Sequence, residues 1–138
     1  MNYSRVIAFL KNRFIEILGL FIVIISTLLF LSILSYSPDD PNFIFSNEKI
    51  EIKNIFGFYG SAVSSLFLQS FGLIAFLFCI SLFSIGFLII KNKNFNYVLT
   101  KIFYSLIYLI SGSAFFSIYK NNSFWLIING NGGFVGEY

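Results

Sequence analysis

The stretch Ile17 to Pro41 reads ILGLFIVIISTLLFLSILSYSPDDP. Its first 22 positions, Ile17 to Pro38, carry no charge. At 1.5 Å per residue a helix of that length is about 33 Å long, enough to cross a hydrocarbon core of about 30 Å. Asp39 and Asp40 follow directly, flanked by the two prolines of the chain, Pro38 and Pro41. A tight acidic turn bounded by proline marks the point where the chain leaves the lipid.

Composition agrees with a membrane origin. Of 138 residues, 57% are hydrophobic and only 11% are charged, whereas soluble domains carry about 25% charge. The formal charge of +3 in a soluble protein would raise the question of nucleic acid, but here the cations sit at the ends of apolar runs, where topology explains them. The single cysteine, Cys79, excludes a disulfide framework within the chain, and the absence of histidine removes the commonest metal ligand and acid–base group. The amino-terminal apolar run exceeds the 7–15 residues of a signal-peptide core and lacks an A-x-A site, so it reads as an uncleaved signal-anchor.

Outward from the opening stretch, the fold class is all-α: a polytopic helical membrane protein of three transmembrane helices with an additional interfacial or bent helix segment. The whole chain, 1–138, forms one membrane domain, with spans over about 14–36, 71–90 and 97–119, a loop over about 37–56 and a tail over about 120–138. The uncharged stretch Asn54 to Ile90 has 37 residues, or about 55 Å as one helix, too long for an ordinary span. Its first part places Phe56, Tyr59, Val63 and Phe67 at helical spacing among Gly57, Gly60, Ser61, Ser64, Ser65 and Gln69. That amphipathic pattern suits a helix at the interface or packed on the bundle. Phe71 to Ile90 is nearly all apolar, and the change falls near Gly72, where a bend is expected; a single long tilted helix is the alternative. Lys101 lies in the first turns of the third span and can reach back to the headgroups. Tyr36, Tyr97, Tyr104, Tyr119 and Trp125 suit interfacial belts.

Charge sets the expected orientation. The amino-terminal segment and the Lys91 loop hold Arg5, Lys11, Arg13, Lys91, Lys93 and Lys101 against Glu16, a net +5. The other side holds Lys49, Lys53 and Lys120 against Asp39, Asp40, Glu48, Glu51 and Glu137, a net −2. By the positive-inside rule the amino terminus is cytoplasmic, and the loop and tail are extracytoplasmic.

Chemistry is sparse. Glu16 and Lys101 lie near span ends and the middles of the spans are uncharged, which argues against a proton relay or an ion-coupled carrier. Cys79 has no nearby base and reads as a packing residue. Asp39 and Asp40 are adjacent carboxylates without a further ligand cluster, so they read as a turn rather than an acid–base pair or a Ca²⁺ site. The tail Gly130-Asn131-Gly132-Gly133-Phe134-Val135-Gly136 lacks the lysine of a phosphate loop and the third glycine of a dinucleotide loop. It reads as a re-entry turn whose backbone packs closely on a span. Ser81, Ser84, Gly86, Ser105, Ser111, Gly112, Ser113, Ala114 and Ser117 permit close helix contacts, either within the chain or between copies. No catalytic, cofactor-binding or metal-ligating residue is assigned, and no cofactor is expected.

Three stretches occur in a telling order. Ser35-Tyr36-Ser37-Pro38-Asp39-Asp40-Pro41 ends the first span. Asn54-Ile55-Phe56-Gly57-Phe58-Tyr59-Gly60-Ser61-Ala62 leads toward the second, which opens near Phe71-Gly72. Gly132-Gly133-Phe134-Val135-Gly136 follows the third. The chain thereby resembles, over nearly its whole length, the amino-terminal four-span membrane region of the FtsK/SpoIIIE DNA translocases. The resemblance implies a region that anchors a hexameric, ATP-driven double-stranded DNA pump at the division septum of a bacterial inner membrane. It implies partners among the membrane proteins of the division machinery, self-association, and contact with the lipid bilayer but no direct contact with nucleic acid. The family's RecA-like motor, with its Walker motifs, lies downstream of a linker. The expectation is therefore a shortened or partial chain, ending where a fourth span would begin, that is not itself an enzyme. A small subunit of a membrane transporter or channel is the alternative.

Overall fold

The computed structural model describes residues 3–43, 51–92, 95–118, 126 and 130–138. Among these the elements are all helical: α1 (Tyr3–Leu34), α2 (Gly57–Phe71), α3 (Ile74–Asn92), α4 (Phe95–Ile118) and the short α5 (Gly133–Glu137). Three of them hold apolar segments long enough to cross a membrane, Arg5–Leu34, Ile74–Lys91 and Val98–Ile118. The chain is thus an all-α, polytopic membrane-type bundle. Glu48, Lys49, Lys93, Tyr119, Lys120 and Trp125, to which the sequence assigns loop or interfacial positions, lie outside the described residues.

α1 and α3 form the most extensive helix packing among the described residues, and two glycines explain how closely they approach. A Cβ on Gly19 would lie 2.9 Å from the Gly86 carbonyl oxygen, and a Cβ on Gly86 would lie 2.9 Å from the Gly19 carbonyl oxygen. Each glycine therefore leaves space for the opposite backbone, the small-residue packing that membrane helices use where lipid supplies no hydrophobic drive to association. On one side of this crossing Ile15, Ile85, Ile89 and Val98 pack with Ile22, so that α4 joins α1 and α3 at its first turns. On the other side Leu29, Ile33, Leu68, Ala75, Cys79 and Leu126 form the larger core cluster. Most other large apolar side chains point outward, as they should where the surrounding solvent is hydrocarbon.

The stretch Asn54 to Ile90 is two helices. Gly72 stands at the break with φ 66° and ψ −146°, a conformation that costs a residue with a side chain heavily. α2 stays at the Leu34 end of α1: near its start the Gly60 carbonyl accepts from Ser32 at 2.7 Å, and near its end Leu68 joins Ile33. Its faces are arranged in reverse of a water-soluble helix. Gly60, Ser61, Ser64 and Ser65 turn inward and Tyr59, Val63 and Leu66 are exposed. The small hydroxyl face admits close approach and hydrogen bonding, while the apolar stripe is left for lipid or another apolar surface.

Candidate functional site

The end of the bundle where α1 finishes holds most of the buried polar groups. Pro38 to Pro41 is a turn, closed by the Asp40 N–H donating to the Ser37 carbonyl at 3.2 Å. Its two aspartates differ completely. Asp39 is exposed and pairs with Lys53 Nζ at 3.3 Å. Asp40 is 4% exposed, and its carboxylate accepts from the backbone N–H groups of Lys53 at 3.0 Å and Asn54 at 2.9 Å. The turn is therefore also one half of a clamp across the loop.

Asn54 continues the clamp. Its Oδ1 accepts from the Phe56 N–H at 3.1 Å, an Asx turn, and its carbonyl accepts from the Gly57 N–H at 2.9 Å. These bonds turn the chain into α2. Its Nδ2 donates to the Ser32 carbonyl at 2.9 Å, one of the carbonyls the last turn of α1 leaves without a helical partner. Ser61 donates to the Pro41 carbonyl. Asn42 Nδ2 and Gln69 Nε2 both donate to Ser65 Oγ, at 3.1 and 2.9 Å, and the Tyr36 hydroxyl bonds with the same two groups, Gln69 and Ser65. The end of α1, the loop and the inner face of α2 are thus stitched into one polar layer beneath an apolar exterior.

A second junction adjoins it at the far end of α2. The helix break frees the Phe71 carbonyl and the Leu73 N–H. Ser113 of α4 donates to the first at 3.0 Å, and the Asn131 carbonyl accepts from the second at 2.9 Å. The glycines of the tail make this contact possible. A Cβ on Gly133 would lie 2.5 Å from the Gly72 nitrogen, and one on Gly132 would lie 2.6 Å from the Ser113 carbonyl oxygen. The expected close packing of the tail backbone on a span is what the structure contains, with Ser113 and Ser117 of α4 as its floor. Gly86 and Gly112 are likewise used inside the chain, against α1 and Ile74.

The three quoted landmark stretches, scattered over a hundred residues of sequence, therefore meet at one end of the bundle. Asp40 holds Asn54, Asn54 opens α2, and Gly72 at the end of α2 meets Gly133. Residue patterns alone do not reveal Gly19, Ser32 and Asn54 as parts of these junctions. For Asn54 a signal existed: an asparagine three residues before a helix-opening glycine is a natural Asx turn. Among the described residues no group of three or more His, Cys, Asp or Glu side chains is placed to hold a metal. Cys79 is 1% exposed within the larger core cluster. The arrangement can hold backbone segments in fixed register; the buried Asp40 carboxylate and the Asn54 amide engage main-chain partners, and the Asn42 and Gln69 amides meet the Ser65 hydroxyl.

No match is found among curated proteins or among solved structures. Residues 11–138, by contrast, match the family described as the 4TM region of DNA translocase FtsK/SpoIIIE. That coverage includes α2 to α5, most of α1 and all three landmark stretches, and the chain belongs to this family of translocase membrane regions.

Proposed function

We propose that this chain is a membrane-anchoring and interaction module of a DNA translocase that acts in cell division and chromosome segregation. It sits in the bacterial inner membrane with its amino terminus in the cytoplasm and gathers at the division septum. Its partners are membrane proteins of the division machinery and further copies of itself; DNA handling and ATP hydrolysis belong to the translocase motor. The family match over residues 11–138 is the observation that carries this reading. The separation of charge supports the orientation. Arg5, Lys11, Arg13, Lys91 and Lys101 lie at one end of the bundle with Glu16, and Asp39, Asp40, Glu51 and Glu137 belong to the other with Lys53.

A fluorescent fusion to the amino terminus, expressed in dividing rod-shaped bacteria, tests the proposal. A band of signal at the constriction, above that of a general membrane dye, is the expected result. A uniform envelope signal through the whole division cycle contradicts septal recruitment by this module.

A further inference from the structure

α1 is longer than a membrane requires. Its 32 residues measure about 48 Å, against a hydrocarbon core of about 30 Å. The excess lies at the amino-terminal end. The Gly19–Gly86 contact sets the level of α1 against the antiparallel α3, which places Lys91, at the end of α3, beside Phe14. Ile15 is the last buried residue of α1 in this direction, and the described side chains from Arg5 to Phe14 are all exposed. Tyr3–Arg13 therefore projects about 16 Å past the helix it packs on.

This projection is amphipathic. Tyr3, Val6, Ile7, Leu10 and Phe14 follow an i, i+3, i+4, i+7, i+11 spacing and are between 41% and 82% exposed. The stripe points away from the bundle and runs on into Ile17, Phe21 and Ile24, the side of α1 that faces lipid. Lys11 and Arg13 flank it on either side, and Arg5 lies opposite. Arg13 is paired with Glu16 and stands 5.1 Å from the Phe9 ring centre. Residues 1–15 contain three cations and no acid.

We propose that Tyr3–Arg13 is a lipid-binding extension of α1 that lies against anionic headgroups of the leaflet at the Lys91 end of the bundle. Continuity of the stripe with the lipid-facing side of the span, together with Arg5 and Lys11 in a segment that contains no acid, selects an anionic bilayer surface as its occupant. A tilt of α1 toward the side its stripe faces lays the apolar residues onto the acyl boundary. Lys11, at the edge of the stripe, then reaches phosphate oxygens, and Arg5 and Lys91 add charge within the same surface potential. The inference rests on membrane insertion of the bundle, and not on which compartment holds the amino terminus.

Spin labels test it in the reconstituted 138-residue chain carrying Cys79→Ala. Ile7→Cys places a label on the stripe, Ala8→Cys places one on the bundle side at nearly the same depth, and Phe103→Cys on α4 reports insertion itself. Collision rates with oxygen and with a water-soluble nickel complex are read in neutral phosphatidylcholine vesicles, and in vesicles with 30 mol% phosphatidylglycerol. The expected result is an Ile7 label that becomes oxygen-accessible only with the anionic lipid, while the Ala8 label stays nickel-accessible. Arg5→Gln with Lys11→Gln should reverse this, since each cation near an anionic surface contributes about a five-fold bias and the pair about 25-fold. Equal nickel access at Ile7 and Ala8 in anionic vesicles overturns the proposal, as does equal burial of Ile7 in neutral vesicles. Protection of Ile7 from both reagents, with spin–spin broadening that grows with protein density, overturns it in favour of a second copy on the stripe. A Phe103 label in water indicates failed insertion and so a failure of the membrane reading instead.

Discussion

Removing the Asp40 carboxylate should release the loop from the bundle, whereas removing its neighbour's should not. Asp40 accepts two backbone N–H bonds, from Lys53 and Asn54, while being 4% exposed. Hydrogen bonds to a charged group are each worth about 1.5–3 kcal/mol, so Asp40→Ala should cost about 3–6 kcal/mol. Asp40→Asn keeps one acceptor oxygen and turns an amide donor toward the other N–H, for a loss of about 2–3 kcal/mol. Asp39→Asn removes only an ion pair whose partners are 71% and 63% exposed, worth about 0–0.5 kcal/mol. Two readouts separate global from local effects. Unfolding in mixed micelles titrated with SDS reports the stability of the bundle. Trypsin cleavage after Lys53 reports opening of the clamp, and about 3 kcal/mol should raise its rate at least 100-fold where opening precedes cleavage. Equal effects of the Asp39 and Asp40 substitutions on both readouts would refute the clamp and reduce the turn to a surface feature.

The two helix-crossing glycines supply a second test. Gly86→Ala puts a methyl group 2.9 Å from the Gly19 carbonyl oxygen and 2.8 Å from Val23 Cγ2, and should cost about 1–3 kcal/mol in the same micelle titration. The positive-φ glycines give an internally controlled pair. Gly57, with φ 62°, has open space where a Cβ would go, so Gly57→Ala carries only the backbone penalty of about 1–2 kcal/mol. Gly72→Ala adds a clash with the Asn131 main chain and should destabilise clearly more, with circular dichroism confirming that helix content is retained around Gly57. Ser113→Ala strips the Phe71 carbonyl of its donor for about 1 kcal/mol. Ser113→Val also adds bulk at a fully buried position beside the Phe71 carbonyl and should loosen the helix break further, read as faster hydrogen exchange at the Leu73 amide.

What could be read from residues and what could not divide along a physical line. Hydropathy measures the transfer of each segment into lipid, a property of the segment alone, so three spans and the change of character at Gly72 were visible in the sequence. The close packing of the glycine tail was visible as well, because glycine clusters without phosphate-loop chemistry have few other uses. Partnerships across the bundle were not. Gly19 looks like any glycine in an apolar run until Gly86 is seen opposite it. Asp39 and Asp40 are indistinguishable as neighbours, and only the path of the loop back to Lys53 and Asn54 buries one and exposes the other. α2 was recognisable as amphipathic, but which face turns inward depends on what waits there. The Ser32 hydroxyl, the Pro41 carbonyl and Asn42 make the serine face the buried one.

Two-sided thiol labelling of spheroplasts tests most directly whether this bundle spans the membrane with its acidic clamp outside. In a Cys79→Ala background, Ile55→Cys places an exposed thiol beside the clamp and Lys91→Cys places one at the basic end. With a membrane-impermeant maleimide, Ile55→Cys should label in intact spheroplasts, and Lys91→Cys should label only after permeabilisation. Labelling of Lys91→Cys with protection of Ile55→Cys in intact spheroplasts contradicts the orientation, and labelling of both contradicts the span between them.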